Sequence, residues 1–431
     1  MLACGTQGGQ AALLSWGERS SATSAFICES SGFPEKEHAN TMSTNPSLRC
    51  KIITDFAELE ALAGDWGRLW NSAPRRDVFN AFAWARAWWR SCGSRLSLYT
   101  PVAYRGDRVV GILPLVIDGC TLRFLGFGHS DYNDMLCDAE DATDVLEAAL
   151  RALFQRPTAW DSCVLENVPE SAWLVACLDK LSGWLRARLH LSFCNHCPRV
   201  ALETAGAEPL KSILKKKSLL RHEKALSRLG DVRFRHMESR DEIRSHLPAF
   251  FRQHIARRAL AGDKSLFCAE EACCFYRALV DELDPQRELR FSVLELDERP
   301  IAYHFGFEVH GTFFWYKPTF DADLCGYSPG EVLLKKLFEH AGQKRLQVFD
   351  FTVGDEAFKN RFANQVHRNY RLRLFPSAPL AIAGKLLLET KERLAKYPQV
   401  RYAAAALRAL WHRAPRPGVE GPRKHAPMGL Q

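Results

Sequence analysis

The chain has 431 residues, 47% of them hydrophobic and 11% aromatic, which is ample for a core and too long for a single one, so two domains are expected. Its net charge of +8 is uneven, since residues 376–431 hold ten Lys and Arg against three Glu and leave the rest close to neutral. A neutral body lacks the basic face of a DNA-binding protein, and no apolar run reaches the roughly 18–20 residues of a spanning helix.

Residues 1–47 are rich in Ser, Gly and Ala without sustained periodicity and read as a disordered leader, or as sequence ahead of a start at Met42. The 14 cysteines are scattered, which suits a reducing cytoplasm. Cys194-Asn195-His196-Cys197 is the sole CxxC, and without a second pair no metal site is expected.

Residues 55–70 set Phe56, Leu59, Leu62 and Trp66 behind an Asp55 cap, the pattern of an amphipathic helix. Residues 79–90 read as a second, very aromatic helix. Its Trp84, Trp88 and Trp89 fit a core stripe, and Trp84 is also a candidate platform for a sugar or adenine ring. Residues 96–125 predict an antiparallel meander with turns at Gly106-Asp107 and Gly119. In the polar loop that follows, Asp131, Tyr132 and Asp134 are candidate substrate ligands for an amine or sugar hydroxyl. The competing reading has this loop tied by its own Asx-type hydrogen bonds. A helix at 144–154, a strand at 160–165, a helix at 171–186 and a strand at 189–202 complete the first half. Residues 208–229 read as one long helix with seven Lys and Arg against Glu208 and Glu223, either a solvated face or a guide for a phosphate-bearing substrate.

A strand at 232–236 and helices at 243–259 and 270–283 lead into a second meander at 289–296, 301–309 and 312–318. The order of elements repeats that of the first half. His304, on a strand, is a candidate base whose alternative is a satisfied core histidine, and Tyr316 is a candidate acid. Residues 327–362, YSPGEVLLKKLFEHAGQKRLQVFDFTVGDEAFKNRF, follow. Ser328-Pro329-Gly330 predicts a capped helix start, Leu333, Leu334, Leu337, Phe338 and Ala341 its apolar face, and 346–351 a buried strand interrupted by Asp350. Gly354-Asp355 supplies a turn, and Phe358, Lys359, Arg361 and Phe362 place two cations between two aromatics. Residues 366–375 close the sheet. In the tail, patterns at 381–396 and 400–412 mix Leu386, Leu387, Leu394, Leu407 and Trp411 with basic residues, as in a helix lying on an anionic bilayer or packing on the body. Residues 415–431 read as disordered.

The segment 327–362 resembles the C-terminal motif of CelD-like acyltransferases, bacterial two-lobed relatives of the GNAT fold. The shared elements are Ser328-Pro329-Gly330, Asp350-Phe351, Gly354-Asp355-Glu356, Phe358-Lys359 and Phe362. FemABX-type transferases, which add amino acids to peptidoglycan precursors, share the architecture and a similar Phe-Lys element. The resemblance implies an α+β fold of tandem GNAT-like lobes, each a mostly antiparallel sheet flanked by helices. The lobes span 48–203 and 204–378, with a basic tail at 379–431. It further implies acyl transfer from a thioester, acyl-CoA, to a sugar or amine acceptor, nucleotide- or lipid-linked, in envelope or exopolysaccharide synthesis at the cytoplasmic side of the membrane. The alternatives are an aminoacyl transferase of FemABX type and a non-catalytic glycan-binding scaffold.

Direct attack on a thioester needs a held donor, a base, an oxyanion site and an acid for the thiolate. Ser328, Pro329, Gly330, Gly354 and Arg361 are assigned to the donor and Asp350 or Asp355 to the base. Backbone N–H groups near 314–316 would serve the oxyanion, Tyr316 or Tyr327 the thiolate, and Lys359 the developing charge. The chain lacks the Gln/Arg-x-x-Gly-x-Gly/Ala loop usual for coenzyme A in GNAT enzymes.

Overall fold

The computed structural model describes residues 48–155, 159–203 and 208–395, so the leader, the 400–412 helix and the 415–431 end lie outside the described residues. Runs of β-branched and aromatic residues form the strands. In chain order these are β1 (Leu48–Ile53), β2 (Ser97–Leu98), β3 (Thr100–Arg105), β4 (Arg108–Ile112), β5 (Leu115–Asp118), β6 (Thr121–Phe124), β7 (Leu136–Cys137) and β8 (Ser162–Pro169). They continue with β9 (Leu189–Ala201), β10 (Val232–Met237), β11 (Leu289–Leu296), β12 (Arg299–Val309), β13 (Thr312–Phe320), β14 (Val348–Asp350) and β15 (Gln365–Leu374). One sheet has the order β1-β3-β4-β7 and the other β10-β11-β12-β13-β14-β9-β15-β8-β6-β5-β2. Of these pairings β13–β14 and β6–β8 are parallel and the rest antiparallel, with helices packed on the faces, which is the α+β class expected.

The 96–125 segment departs from a simple meander. β3 and β4 join the small sheet while β2, β5 and β6 join the large one. The chain changes sheets at Tyr99 and again at Leu113-Pro114, and the buried Thr100 hydroxyl donates to the Leu115 carbonyl (3.0 Å) to pin the crossing. The 366–375 strand does not close an edge: β15 runs between β9 and β8, so strands from opposite ends of the sequence interleave. The expected 208–229 helix is two helices, Pro209–Leu214 and Lys217–Leu226. The break falls in the lysine run 215–217, and it lets Ile213 on one piece and Leu219 and Leu226 on the other bury against the Pro329–Gln343 helix side. The 171–186 segment is likewise broken into short turns of helix at Trp173–Ala176 and Gly183–Arg186.

Helix Phe82–Cys92 packs along helix Glu270–Glu282 and points its tryptophans inward. Trp84 is 0% exposed, donates its indole N–H to Ser130 Oγ (2.9 Å) and sits edge-on among Phe79, Phe275 and Phe307. It is core and cannot present a face to a sugar, which corrects its candidacy as a platform. Such a ring removes about 150–250 Å² from water, so this stripe ties the Phe82–Cys92 helix to the second half of the chain.

Candidate functional site

β13 and β14 run side by side for three residue pairs, Thr312↔Val348, Phe313↔Phe349 and Phe314↔Asp350, and then part. At the parting, Thr352 sits at φ 58°. A β-branched residue in the left-handed region is strained, and such strain gathers at functional sites. Two hydrogen bonds hold it: its N–H donates to Asp350 Oδ1 (2.8 Å) and its hydroxyl to the Trp315 carbonyl (3.4 Å). Gly354 follows at φ 136°, and a Cβ there would stand 2.6 Å from the Lys359 ammonium, so the turn needs glycine to let Lys359 tuck beneath it.

A cavity of about 330 Å³ opens in this gap. β13 contributes Tyr316 and Lys317, the parted chain Thr352 and Lys359, helix Arg240–Leu260 the Arg257-Arg258 pair, and the first half Asp131. With Lys264 that makes five cations, against Asp131 and Glu356. Lys359 is 5% exposed, donates to the Val353 carbonyl (2.7 Å) and pairs with Glu356 (2.9 Å). The Lys317 ammonium lies 3.7 Å from the centre of the Tyr316 ring. Burial pushes its pKa below the usual lysine value, Asp131 opposes that shift, and Lys359 adds to it. Arg257 donates to the Pro318 carbonyl (2.7 Å), and burial brings the nearby His254 down to about 3, a neutral ring paired with the Ser265 hydroxyl (2.8 Å). The result is an electropositive hollow suited to phosphates and to negative charge formed during reaction.

Of the residues expected to act, Lys359, Tyr316 and Asp131 meet at this cavity. The Tyr316 phenol donates to the His129 carbonyl (2.6 Å), and burial raises its pKa well above the ordinary value, so its proton is committed. The Tyr316 N–H, a candidate oxyanion donor, is taken by His304 Nε2 (3.1 Å). His304 is 0% exposed, lies flat on Trp315 (4.7 Å), and burial holds its pKa well below the ordinary value. It fills the strand irregularity beside Gly306 as a neutral acceptor, a correction to its role as base.

Asp350 is on the far side of the parting. It is 2% exposed and accepts from the Tyr132 hydroxyl (2.7 Å), the Thr352 N–H (2.8 Å) and Arg75 Nη2 (3.0 Å). Arg75 also binds Asp77 (2.9 Å) and lies over the Tyr132 ring (3.7 Å). Both oxygens accept hydrogen bonds, and through Oδ1 Asp350 holds Thr352 at the cavity wall. Tyr132, 1% exposed, is part of this cluster and not open to substrate. Asp134 accepts from the N–H groups of Met135, Trp173 and Leu174 (2.9, 2.7 and 3.1 Å), and burial raises it to about 7; it caps a helix start and is not a substrate ligand. Asp355 is exposed and bonds Asn360 (2.9 Å), away from the cavity lining.

The Pro329–Gln343 helix starts at Pro329 as expected, but Ser328 caps it without its side chain, at φ 54°. Gly330 packs on Phe320. The first turn carries Glu331, which pairs with Arg361 and with His222 (3.0 Å), so that helix end is already met by a carboxylate and Arg361 is engaged. Gly330, Asp350 and Lys359 therefore do not share one cleft: Ser328, Pro329 and Gly330 line neither the cavity at Lys359 nor the pocket at Asp350. Lys317, Arg257, Arg258 and Arg75 escaped the sequence reading. The available signal was Lys317 itself, a cation interrupting the aromatic run 313–316.

Among the described residues no group of three or more His, Cys, Asp or Glu is placed to hold a metal. Nor is any helix there long and apolar enough to cross a membrane.

Residues 215–360, which hold the parting strands, the helix between them and the Lys359 turn, match the acetyltransferase (GNAT) domain family. With that domain the chain is an acyltransferase. Its fold is similar to that of FemX, at TM-score 0.51 and 8% identity over 75% of this chain and 96% of that one. Fainter likenesses reach the C-terminal domain of a putative lysylphosphatidylglycerol synthetase from Agrobacterium fabrum (TM-score 0.46, 14% identity, 76% and 95% covered) and a tandem GNAT protein from the clavulanic acid biosynthesis pathway (0.44, 13%, 76% and 98%). No curated protein matches the sequence.

Proposed function

We propose that the chain is a CelD-like N- or O-acyltransferase that moves an acyl group from acyl-CoA to the amine or hydroxyl of a phosphate-bearing sugar in envelope or exopolysaccharide synthesis. The observation that supports this is the five-cation cavity at the parting of β13 and β14 inside the GNAT domain. Asp131 takes the proton from the attacking nitrogen or oxygen. The nucleophile adds to the thioester carbon, the C–S bond breaks, and the thiolate leaves. Lys317 gives it a proton, since a lysine acidified by burial is the better donor. Lys359, fixed by Val353 and Glu356, and the Arg257-Arg258 pair hold phosphate oxygens. This reading keeps two lobes, 48–203 and 204–378, with β15 of the second inserted between strands of the first.

The test is thiol release from acetyl-CoA with an amino-sugar nucleotide as acceptor. Asp131→Asn should lower kcat by roughly 100-fold or more with the fold intact, and unchanged kcat would remove Asp131 from the mechanism. The FemX-like fold favours one second reading, aminoacyl transfer, which predicts turnover that RNase abolishes. The glycan-binding scaffold loses its platform with Trp84 buried.

A peripheral membrane contact through the tail belongs to the same proposal. Helix Ala378–Ala395 is moored by buried Ala381 and by Lys385, which donates to the Ala187 carbonyl (2.7 Å). It leaves Ile382 72% and Leu387 70% exposed beside a tail sequence rich in Lys and Arg. That combination suits an anionic bilayer surface at the cytoplasmic face.

A further inference from the structure

A second pocket, of about 220 Å³, is lined by Asp350 and shares no lining residue with the transfer cavity. Its polar lining includes Arg75, Arg76, Arg199, Ser171, His310 and Asp350. Asp350 is ion-paired with Arg75, and its charge offsets only part of the burial of Arg199. Arg199 is half-buried and its side-chain partner is the neutral Gln365 oxygen (2.9 Å). Neither Arg76 nor Arg199 forms an ion pair among the described residues. Burial lowers the Arg199 pKa, the mark of a cation held out of water without full compensation. Two guanidinium forks without an ion pair, Arg199 half-buried and Arg76 exposed, line one small hollow with a serine hydroxyl and form a recognition set for tetrahedral oxyanions, which forks of this geometry bind through paired N–H donors.

We propose that this pocket is a phosphoryl-binding site, distinct from the transfer cavity, in which Arg76 and Arg199 grip the phosphoryl oxygens and Ser171 completes the cradle. The volume admits a phosphoryl group with part of its ester. The inference stands on this pocket alone and does not require the acyl-transfer reading.

His310 lines the pocket with its ring 5.1 Å from that of Trp70 and gives a local reporter that the transfer cavity cannot mimic. In protein with isotope-labelled histidine, the His310 resonance, assigned with His310→Gln, is followed during titration with inorganic phosphate and, separately, with glucose 1-phosphate. The expected result is a saturable shift whose affinity falls tenfold or more in Arg76→Gln/Arg199→Gln. If that double variant does not fold, Arg76→Gln alone, at an exposed residue, should weaken binding in the same direction. Tighter binding of the sugar phosphate identifies an organic phosphate as the ligand, and equal or weaker binding identifies free phosphate. A His310 resonance that does not move at millimolar probe, or that titrates with wild-type affinity in the variants, overturns the proposal.

Discussion

Asp350→Ala separates a positioning role from a chemical one. The carboxylate receives three donors at 2.7, 2.8 and 3.0 Å and its side chain is 3% exposed. Breaking a buried ion pair by removing one partner costs about 3–5 kcal/mol. Arg75 keeps Asp77, so the lower end of that range applies. The Tyr132 hydroxyl is left buried and unpaired at about 1–3 kcal/mol, partly the same loss counted again. A total near 4 kcal/mol is expected, with a smaller loss for Asp350→Asn, which still offers an acceptor to Tyr132 and Thr352. Urea unfolding reads this directly, as a lower midpoint at unchanged slope. Arg75→Ala/Asp350→Ala should cost less than the two single changes summed. A loss below about 1 kcal/mol in Asp350→Ala together with abolished turnover would refute the reasoning and return Asp350 to the chemistry.

Stability should also fall below pH 6.5. Burial holds His129 near 4 and His236 and His254 near 3, so at pH 5 the unfolded chain binds protons there that the folded one does not. Each of the three loses about 2 kcal/mol between pH 7 and 5, Asp134, held near 7, gains about as much as one of them loses, and the net fall read from urea midpoints should be about 4 kcal/mol. A flat profile would contradict their burial as neutral rings. Lys317→Gln should leave unfolding midpoints near wild type and cut thiol release by roughly 100-fold; intact release would exclude it as the proton donor. Trp84→Ala should cost about 3–5 kcal/mol in unfolding experiments, as a core ring and not a ligand platform. Leu386→Glu/Leu387→Glu should abolish co-sedimentation with phosphatidylglycerol vesicles, and undiminished pelleting would end the bilayer assignment.

Much of the second half was legible because its signals are local. The turns at Asp297-Glu298 and His310-Gly311 take the positive φ that tight hairpins require, and Pro329 opens its helix at the position that needs no N–H. The GNAT-like character of the 327–362 motif was legible for the same reason. The site was not, because its decisive contacts are remote in sequence. Arg75 and Asp350 are 275 residues apart, and Tyr132 and Asp350 are 218 apart. Asp350 reads as a lone carboxylate in an apolar strand until Arg75 and Tyr132 are folded onto it, and then it is held by an ion pair and three hydrogen bonds. The insertion of β15 between β8 and β9 is equally invisible to periodicity, which fixes a strand's faces but not its neighbours. Likewise a helix N-terminus suggests an anion until Glu331 is seen to answer it.

The central claim is that the cavity between the parted strands holds the acyl donor. Calorimetric titration with coenzyme A tests it most directly. Saturable binding to the wild type that weakens at least tenfold in Lys317→Gln and in Lys359→Gln, and is unchanged in Arg76→Gln, is the predicted result. Wild-type affinity in both lysine variants would contradict it.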